Sequence, residues 1–329
     1  MIIWQCEEDL IQASGSSFQA LSHLKELDER YKKMTTKDHL FVLIPFDSSL
    51  NTLIYEPKNI NFFQFPNHFL DYKSISRTCS FEKKRWIHHV NEYLEHIKQK
   101  KLEKVVLCQQ EYLKFNEEVN PIFVLSQLPY TKECTGFLFE LNEKKTLIGM
   151  SPERLFVLNK NELSCDLIAG TRKTSSEFSE KEYAEQGFVR NFMVEKLQGL
   201  ASSIKISKHS FLTLSYGIHL KQVLKARLNK ANISELISLL HPTPAVCGYP
   251  QEKALHLIQN VEKSRGYFTG LIGYLRKDKA IFNVIIRSAL IEKNQAILCA
   301  GAGIVIGSNP EKEWEEIQQK FYPFHSIFK

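Results

Sequence analysis

YFTGLIGYL at Tyr267–Leu275, AIFNVIIRSALI at Ala280–Ile291 and AILCAGAGIVIG at Ala296–Gly307 are three strand-like segments in succession. Their apolar, β-branched and aromatic character suits a pleated, buried surface. Upstream, the same signal recurs in KVVLCQQEYLKF from Lys104, GFLFEL from Gly136, TLIGM from Thr146 and RLFVLNKNELSCDLIAG from Arg154. Within the last of these, Asn159–Asn161 reads as a hairpin turn. Helical periodicity interleaves with the strands: Trp86, Ile87, Val90, Tyr93, Leu94 and Ile97 recur at helical spacing. A long polar helix is expected from about Glu180 to Ile204, with Phe188, Phe192, Leu197 and Leu200 turned inward. After the strand-like FLTLSY at Phe211, Asn232 and Glu235 read as the capping box of a short helix. A helix follows from Gln251 to Lys263, and Ser308-Asn309-Pro310 signals the start of the last one. Strands and helices follow no regular β-α-β order and no repeat is visible, so the expected class is α+β with large, mostly antiparallel sheets.

The first eighty residues carry weaker signals: a helix-like stretch around Phe18–Tyr31, a strand-like FVLIPF at Phe41–Phe46 and a loop near Asn59–Asn67. At 329 residues, 43% hydrophobic and 24% charged, the chain is long enough for two domains or one large unit. The formal charge of +6 is mild, and Lys alternates with Glu almost throughout, so a nucleic-acid partner is not expected. The seven cysteines are widely spaced with no CxxC, which argues against a disulfide framework or zinc site and for a reducing compartment. No apolar run approaches the roughly 18 residues that span a bilayer, and the first residues lack a signal-peptide pattern. A cytoplasmic protein with no membrane partner is expected.

Several residues invite two readings. Lys104, opening an apolar strand, is either a solvated strand end or a lysine pressed into a cleft where it can serve as a general base. Glu153 in SPERL follows a Ser-Pro turn, and is either paired with an arginine or kept protonated as a general acid. Glu182 and Glu185 share one helix face, and Glu313, Glu316 and Lys320 share another. Such groups are solvated charges, or, drawn from two helices, hard oxygen ligands for Mg²⁺. GAGIVIG at Gly301–Gly307 and IAGTR at Ile168–Arg172 are either bulges or glycine turns that let backbone N–H groups approach an anion. Arg287, in the middle of NVIIRSALI, is flanked by apolar residues and calls for a carboxylate partner from protein or ligand. Together these suggest an enzyme for a small anionic metabolite.

Read in order, KVVL, SPERL, IAGTR, KEYAEQ, HPTPAVCGYP, RGYFTGLIGY, the Arg287 strand, GAGIV and EWEEIQQK resemble the chorismate-utilising enzymes, most closely isochorismate synthases, from Ser80 to the C-terminus. The resemblance implies a single large domain of two stacked, mostly antiparallel sheets surrounded by helices, the fold shared with anthranilate synthases. It assigns residues 80–329 to the chorismate-binding catalytic region and 1–79 to a poorly matched N-terminal part of the same fold. Lys104 then becomes the base that activates water toward C2 of chorismate, and Glu153 the acid that protonates the hydroxyl leaving C4. Glu185 and Glu316 match the Mg²⁺ ligands. Gly170, Thr171, His241, Ala245, Arg287, Gly301, Ala302, Gly303 and Lys320 fall at substrate-binding positions.

Two positions bear on the nucleophile. Lys104 stands where water-adding members carry lysine and anthranilate synthases glutamine. Ala169 stands where aminodeoxychorismate synthases carry a lysine. HPTPAVCG also looks like the isochorismate synthase form of its motif. The implied product is isochorismate, for menaquinone, siderophore or salicylate biosynthesis, made without a glutaminase subunit by a monomer or weak homo-oligomer. The alternatives are a salicylate synthase, which would go on to eliminate pyruvate, an amine-forming member, and an inactive chorismate-binding relative. The chain departs from the family pattern at Gln109, where arginine is common, at Gln186, where histidine is usual, and in a shortened segment after IAGTR.

Overall fold

The strand-like segments pair edge to edge into two ten-stranded sheets in the computed structural model, which describes residues 1–7, 9–67, 70–172, 178–214, 217–230 and 232–329. The chain begins with β1 (Ile2–Cys6), β2 (Asp9–Ser14), β3 (Gln19–Ala20), α1 (Lys25–Lys33), β4 (Leu40–Ile44), β5 (Leu53–Tyr55), β6 (Asn59–Phe62) and β7 (Ser74–Cys79). It continues through α2 (Lys83–Lys98), β8 (Lys104–Phe115), α3 (Pro121–Gln127), β9 (Thr135–Glu140), β10 (Lys145–Ser151), β11 (Arg154–Asn159), β12 (Glu162–Arg172) and α4 (Glu180–Gln198). Then come β13 (Ala201–Ile206), β14 (Ser210–Leu214), β15 (Gly217–Leu228), α5 (Ile233–Leu240), β16 (Gly248–Tyr249) and α6 (Gln251–Val261). The last elements are β17 (Leu271–Arg276), β18 (Lys279–Val284), β19 (Ser288–Glu292), β20 (Gln295–Val305) and α7 (Pro310–His325).

The first sheet runs β16-β8-β20-β19-β10-β9-β1-β2-β6, with β7 also on β8, and the second β13-β15-β12-β11-β18-β17-β4-β5-β3, with β14 on β15. Every pairing between these strands is antiparallel. The α+β class with stacked antiparallel sheets in one domain is therefore what the chain forms. Residues before Ser80 supply β1, β2, β6 and β7 to one sheet and β3, β4 and β5 to the other.

Alternation along the strands divides the side chains between faces. The outer face of the first sheet packs on α2, α3, α6 and α7, and that of the second on α1, α4 and α5. At one end the interlayer is filled by aromatics: Phe41 stacks on Tyr274 at 4.9 Å, and Trp4 lies 5.6 Å from the same ring. The other end of the interlayer is polar and holds the site.

Two connections pass from one sheet to the other side by side. Pro152-Glu153 joins β10 to β11, and Ile285–Arg287 joins β18 to β19. They are laced together, since Val284 N donates to Glu153 O at 3.0 Å and Met150 N to Arg287 O at 3.0 Å. Ser151 Oγ adds a bond to Val284 O at 2.7 Å. AIFNVIIRSALI is thus two strands, and Arg287 lies at the break with φ 51°. That left-handed conformation costs a non-glycine residue about 1–2 kcal/mol. It lets the chain reverse direction out of one sheet into the other.

Other expectations are corrected by tertiary pairing. The long helix ends at Gln198, and residues 201–206 form β13 on β15, a strand the pattern had not separated from its neighbours. The helix near the N-terminus is Lys25–Lys33, with Gln19–Ala20 forming β3 on β5. Asn59–Phe62, read as loop, pairs with β2. The Asn232 capping box is not made: Asp28 from α1 accepts from Ser234 N at 3.1 Å and from Ser234 Oγ, a cap supplied across the fold. The capping box belongs to α4 instead, between Ser179 and Glu182. Asn309 and Pro310 do open α7 as expected.

Candidate active site

The polar end of the interlayer is a cavity between the two sheets. Val106 on β8 with Gly301 and Gly303 on β20 form one wall, and Ile168–Thr171 on β12 with His219 on β15 the other. Pro152, Glu153, Ile286 and Arg287 line it from the crossing connections, while Glu185 of α4 with Glu316 and Lys320 of α7 line it from the helices. Each crossing connection is pinned by the other.

Glu153 is 7% exposed, and its carboxyl is pushed up to about 7. Burial is the largest cause, with Asp166 adding to it, while Lys104, Arg287 and Lys320 pull the other way. The adjacent Arg154 is engaged with Glu7 at 3.5 Å and Asp166 at 3.8 Å. Near neutral pH the group can therefore hold a proton to give.

Lys104 is fully buried, which excludes the solvated strand end. Its backbone is paired on both sides, with Val305 of β20 and Tyr249 of β16. Its Nζ lies 3.0 Å from Glu185 Oε1. Glycine makes this approach feasible: a Cβ on Gly303 would fall 2.4 Å from Glu185 Oε1 and 3.0 Å from Lys104 Cε. Gly301 and Gly303 lie within β20 opposite Cys108 and Val106, so they are not the anion-binding turn expected. What they contribute is space.

Carboxylates and cations alternate around the helical rim. Lys320 Nζ donates to Glu316 Oε1 at 2.5 Å and to Gly301 O at 2.6 Å. Burial raises the Glu316 carboxyl, but Lys320 and then Lys181 outweigh it and leave the group below the ordinary range. Lys181 pairs with the buried Glu313 at 2.6 Å. Glu182 turns away, capping α4 through Ser179 and pairing with Arg172 at 3.0 Å.

On the opposite wall, Gly170 has φ +73° at a β-bulge, where a Cβ would lie 2.7 Å from Glu182 Cβ. The close approach expected of IAGTR is thus made to α4. Thr171 Oγ1 shares a hydrogen bond of 3.1 Å with His219 Nδ1. Burial, reinforced by Arg287 and Lys320, lowers His219 to about 3, so its ring is neutral at physiological pH.

The structure thus brings Glu153, Gly170, Thr171, Glu185, Ala245, Arg287, Gly301, Gly303, Glu316 and Lys320 to one cavity, with Lys104 against its Glu185 side. Two expected residues are not in its wall. Ala302 is fully buried and joins the core on the opposite face of β20, as alternation requires. His241 is half-buried and does not line the cavity, and desolvation of its ring lowers it to about 3. Sequence reasoning missed His219 and Lys181. His219 belongs to β15, a strand whose alternating GIHLKQVLKARL was passed over, and Lys181 stood in KEYAEQ as one charge among several.

The departures at two glutamines are absorbed by neutral hydrogen bonding. Gln109 donates to Phe81 O at 2.8 Å and accepts from Ser80 Oγ at 3.0 Å. Gln186 donates to Gln222 Oε1 at 2.9 Å. The shortened segment after IAGTR falls largely outside the described residues.

A buried carboxyl raised to about 7 and a buried lysine thus sit at a cavity ringed by cations and carboxylates between two antiparallel sheets. The chain belongs to the chorismate binding enzyme family, whose model matches residues 46–329. It is 30% identical over 259 residues to isochorismate synthase MenF of Haemophilus influenzae, covering 74% of this chain and 60% of that protein. It is 34% identical over 258 residues to the chloroplastic isochorismate synthase 2 of Arabidopsis thaliana, covering 71% of this chain and 45% of that protein. The matched regions thus span less than two thirds of these relatives. The structure of MenF, the menaquinone-specific isochorismate synthase from Escherichia coli, superposes with a TM-score of 0.87 at 23% identity, covering 100% of this chain and 88% of that one. At that identity the likeness is one of fold.

Proposed function

We propose that the chain converts chorismate to isochorismate. The observation that carries this reading is a cavity lined by Glu153, able to keep a proton near pH 7, with the buried Lys104 against its Glu185 side. Lys104 Nζ takes a proton from the water adding at C2. Glu153 gives its proton to the hydroxyl leaving C4, which departs as water while the ring double bonds shift. Arg287 and Lys320 bind substrate carboxylate, and the backbone at Gly170 with the Thr171 hydroxyl orients the ring. The names of the relatives at 30% and 34% identity support the same reaction. Ala169, where amine-forming relatives would carry a lysine, lies at the cavity wall, which supports water over an amine as the nucleophile.

Mg²⁺ is the proposed cofactor. Among the described residues no cluster of three or more His, Cys, Asp or Glu forms a metal cage. Two carboxylates from separate helices do face the cavity, one in space that a Cβ on Gly303 would fill, and Mg²⁺ commonly uses one or two carboxylates plus water and substrate oxygens. The donor set fits, with Glu185 and Glu316 as its ligands. Bound there, the ion would supply positive charge that fixes a substrate carboxylate.

Incubating the protein with chorismate and Mg²⁺ and separating products by chromatography tests the reading. Isochorismate, without pyruvate and without an added glutaminase subunit, is expected. Salicylate with pyruvate would assign a salicylate synthase instead, and an aminated product formed with ammonia would overturn water as the nucleophile.

A further inference from the structure

β8 carries Lys104 at its start, and one of its edges is only partly covered by strands. β16 pairs with Lys104 and Val105, and Cys247 O accepts from Val106 N at 2.8 Å. Farther along, β7 pairs from Glu111 onward, and Ser80 serves Gln110. Between the two, the Val106 carbonyl and the Cys108 N–H face Glu262 and Arg265. Arg265 Nη2 donates to Val106 O at 2.7 Å, and Glu262 Oε1 accepts from Cys108 N at 2.8 Å.

The two side chains are joined to each other by bonds of 2.6 and 2.7 Å and are 1% and 4% exposed. The same guanidinium donates to Val246 O at 2.8 Å and Thr269 Oγ1 at 3.3 Å, and it lies over the Phe46 ring at 4.8 Å. Val106, Val246 and Thr269 all line the cavity. One planar fork thus ties the strand of the base to two other segments of the wall, which a lysine could not do at once.

We infer that Glu262 and Arg265 are positioning residues that take the place of a missing strand and hold Lys104 in register with the opposing wall. This inference rests on the proposed reaction. Neither side chain touches the cavity, so the effect is transmitted through the β8 backbone.

Removing one partner leaves a buried charge, whereas replacing both with neutral residues of similar size spares much of the stability. The test compares R265K and the double variant E262Q/R265M with the parent protein for Tm, kcat and KM on chorismate with Mg²⁺. Both are expected to lose on the order of 10²-fold in kcat, as for a misplaced catalytic group, with KM little changed. The double variant is expected to do so with a Tm close to that of the parent. Parent-like kcat in either folded variant would overturn the inference.

Exchange of the Cys108 amide hydrogen, which Glu262 holds, read in R265K should the double variant fail to fold, gives a measure independent of turnover. Faster exchange than in the parent supports the tie, and an unchanged rate overturns it. If the parent itself does not turn over chorismate, the proposed reaction fails while this exchange measurement still decides the positioning.

Discussion

Glu153 and Glu316 face the same cavity and are driven in opposite directions, the first up to about 7 by burial and the second down by Lys320 despite its burial. The difference suits the roles proposed for them, proton donor and anion, and has a consequence for stability. Between the ordinary value of 4.5 and about 7, folded Glu153 keeps a proton that the unfolded chain has lost. Its stabilising contribution is therefore full below 4.5 and is lost as pH rises through 7, a fall of up to about 3 kcal/mol. Glu153→Gln removes this dependence. Urea denaturation at pH 5 and pH 8 should show the variant gaining on the parent at the higher pH, while turnover falls on the order of 10²-fold or more. In the parent, kcat/KM should decline as pH rises through the same region. Gly303→Ala acts on the neighbouring carboxylate. Its methyl would lie 2.4 Å from Glu185 Oε1, so that side chain must move. Mg²⁺ affinity measured by calorimetry should weaken about tenfold, in the range seen when support for a metal ligand is lost.

At the scale of elements, α4 and α5 begin in contrasting ways. The Ser179 and Glu182 cap of α4 is local, whereas that of α5 comes from Asp28, 206 residues before Ser234. Asp28→Ala should cost about 1 kcal/mol, typical of a lost cap, and lower the thermal midpoint without changing KM. The contrast also explains what could be read from the chain alone. β8, α2 and the Asn159–Asn161 turn were legible because periodicity and turn chemistry are local signals. The charged groups of the site were legible because nine motifs occur in a fixed order. Arg287 was recognised as a buried cation, but its place at a sheet-to-sheet connection was not, since apolar residues run unbroken from β18 into β19. β15 and β13 escaped because their faces alternate with Lys, Arg and Ser and mimic a polar helix surface. Ala302 was placed with its glycine neighbours by motif, and the two-residue period of the strand turns it to the core.

For the whole molecule, the division of the interlayer into an aromatic end and a charged end makes the N-terminal strands indispensable. The family match begins at residue 46, yet β1, β2 and β4 lie before it. β1 sits inside the first sheet, pairing Ile2–Cys6 with β9 on one side and β2 on the other. β4 pairs with β17 in the second sheet. Ile2, Ile3, Trp4, Phe41, Val42 and Leu43 are at most 1% exposed, and each contributes about 1.5–3 kcal/mol or more by burial. Deleting residues 1–45 would remove those contacts and bare the edges of β9 and β17 together, a template for aggregation. Their sum, about 9–18 kcal/mol, is as large as the roughly 5–15 kcal/mol by which a domain is normally stable. A chain starting at residue 46 should therefore be insoluble or show no cooperative melt by circular dichroism, although it retains every group assigned to the cavity. A soluble fragment that melts cooperatively and turns over chorismate would show instead that the charged end of the interlayer holds together by itself. In that case the crossing connections at Glu153 and Arg287, laced to each other and independent of β1 and β4, would be the unit that carries the fold.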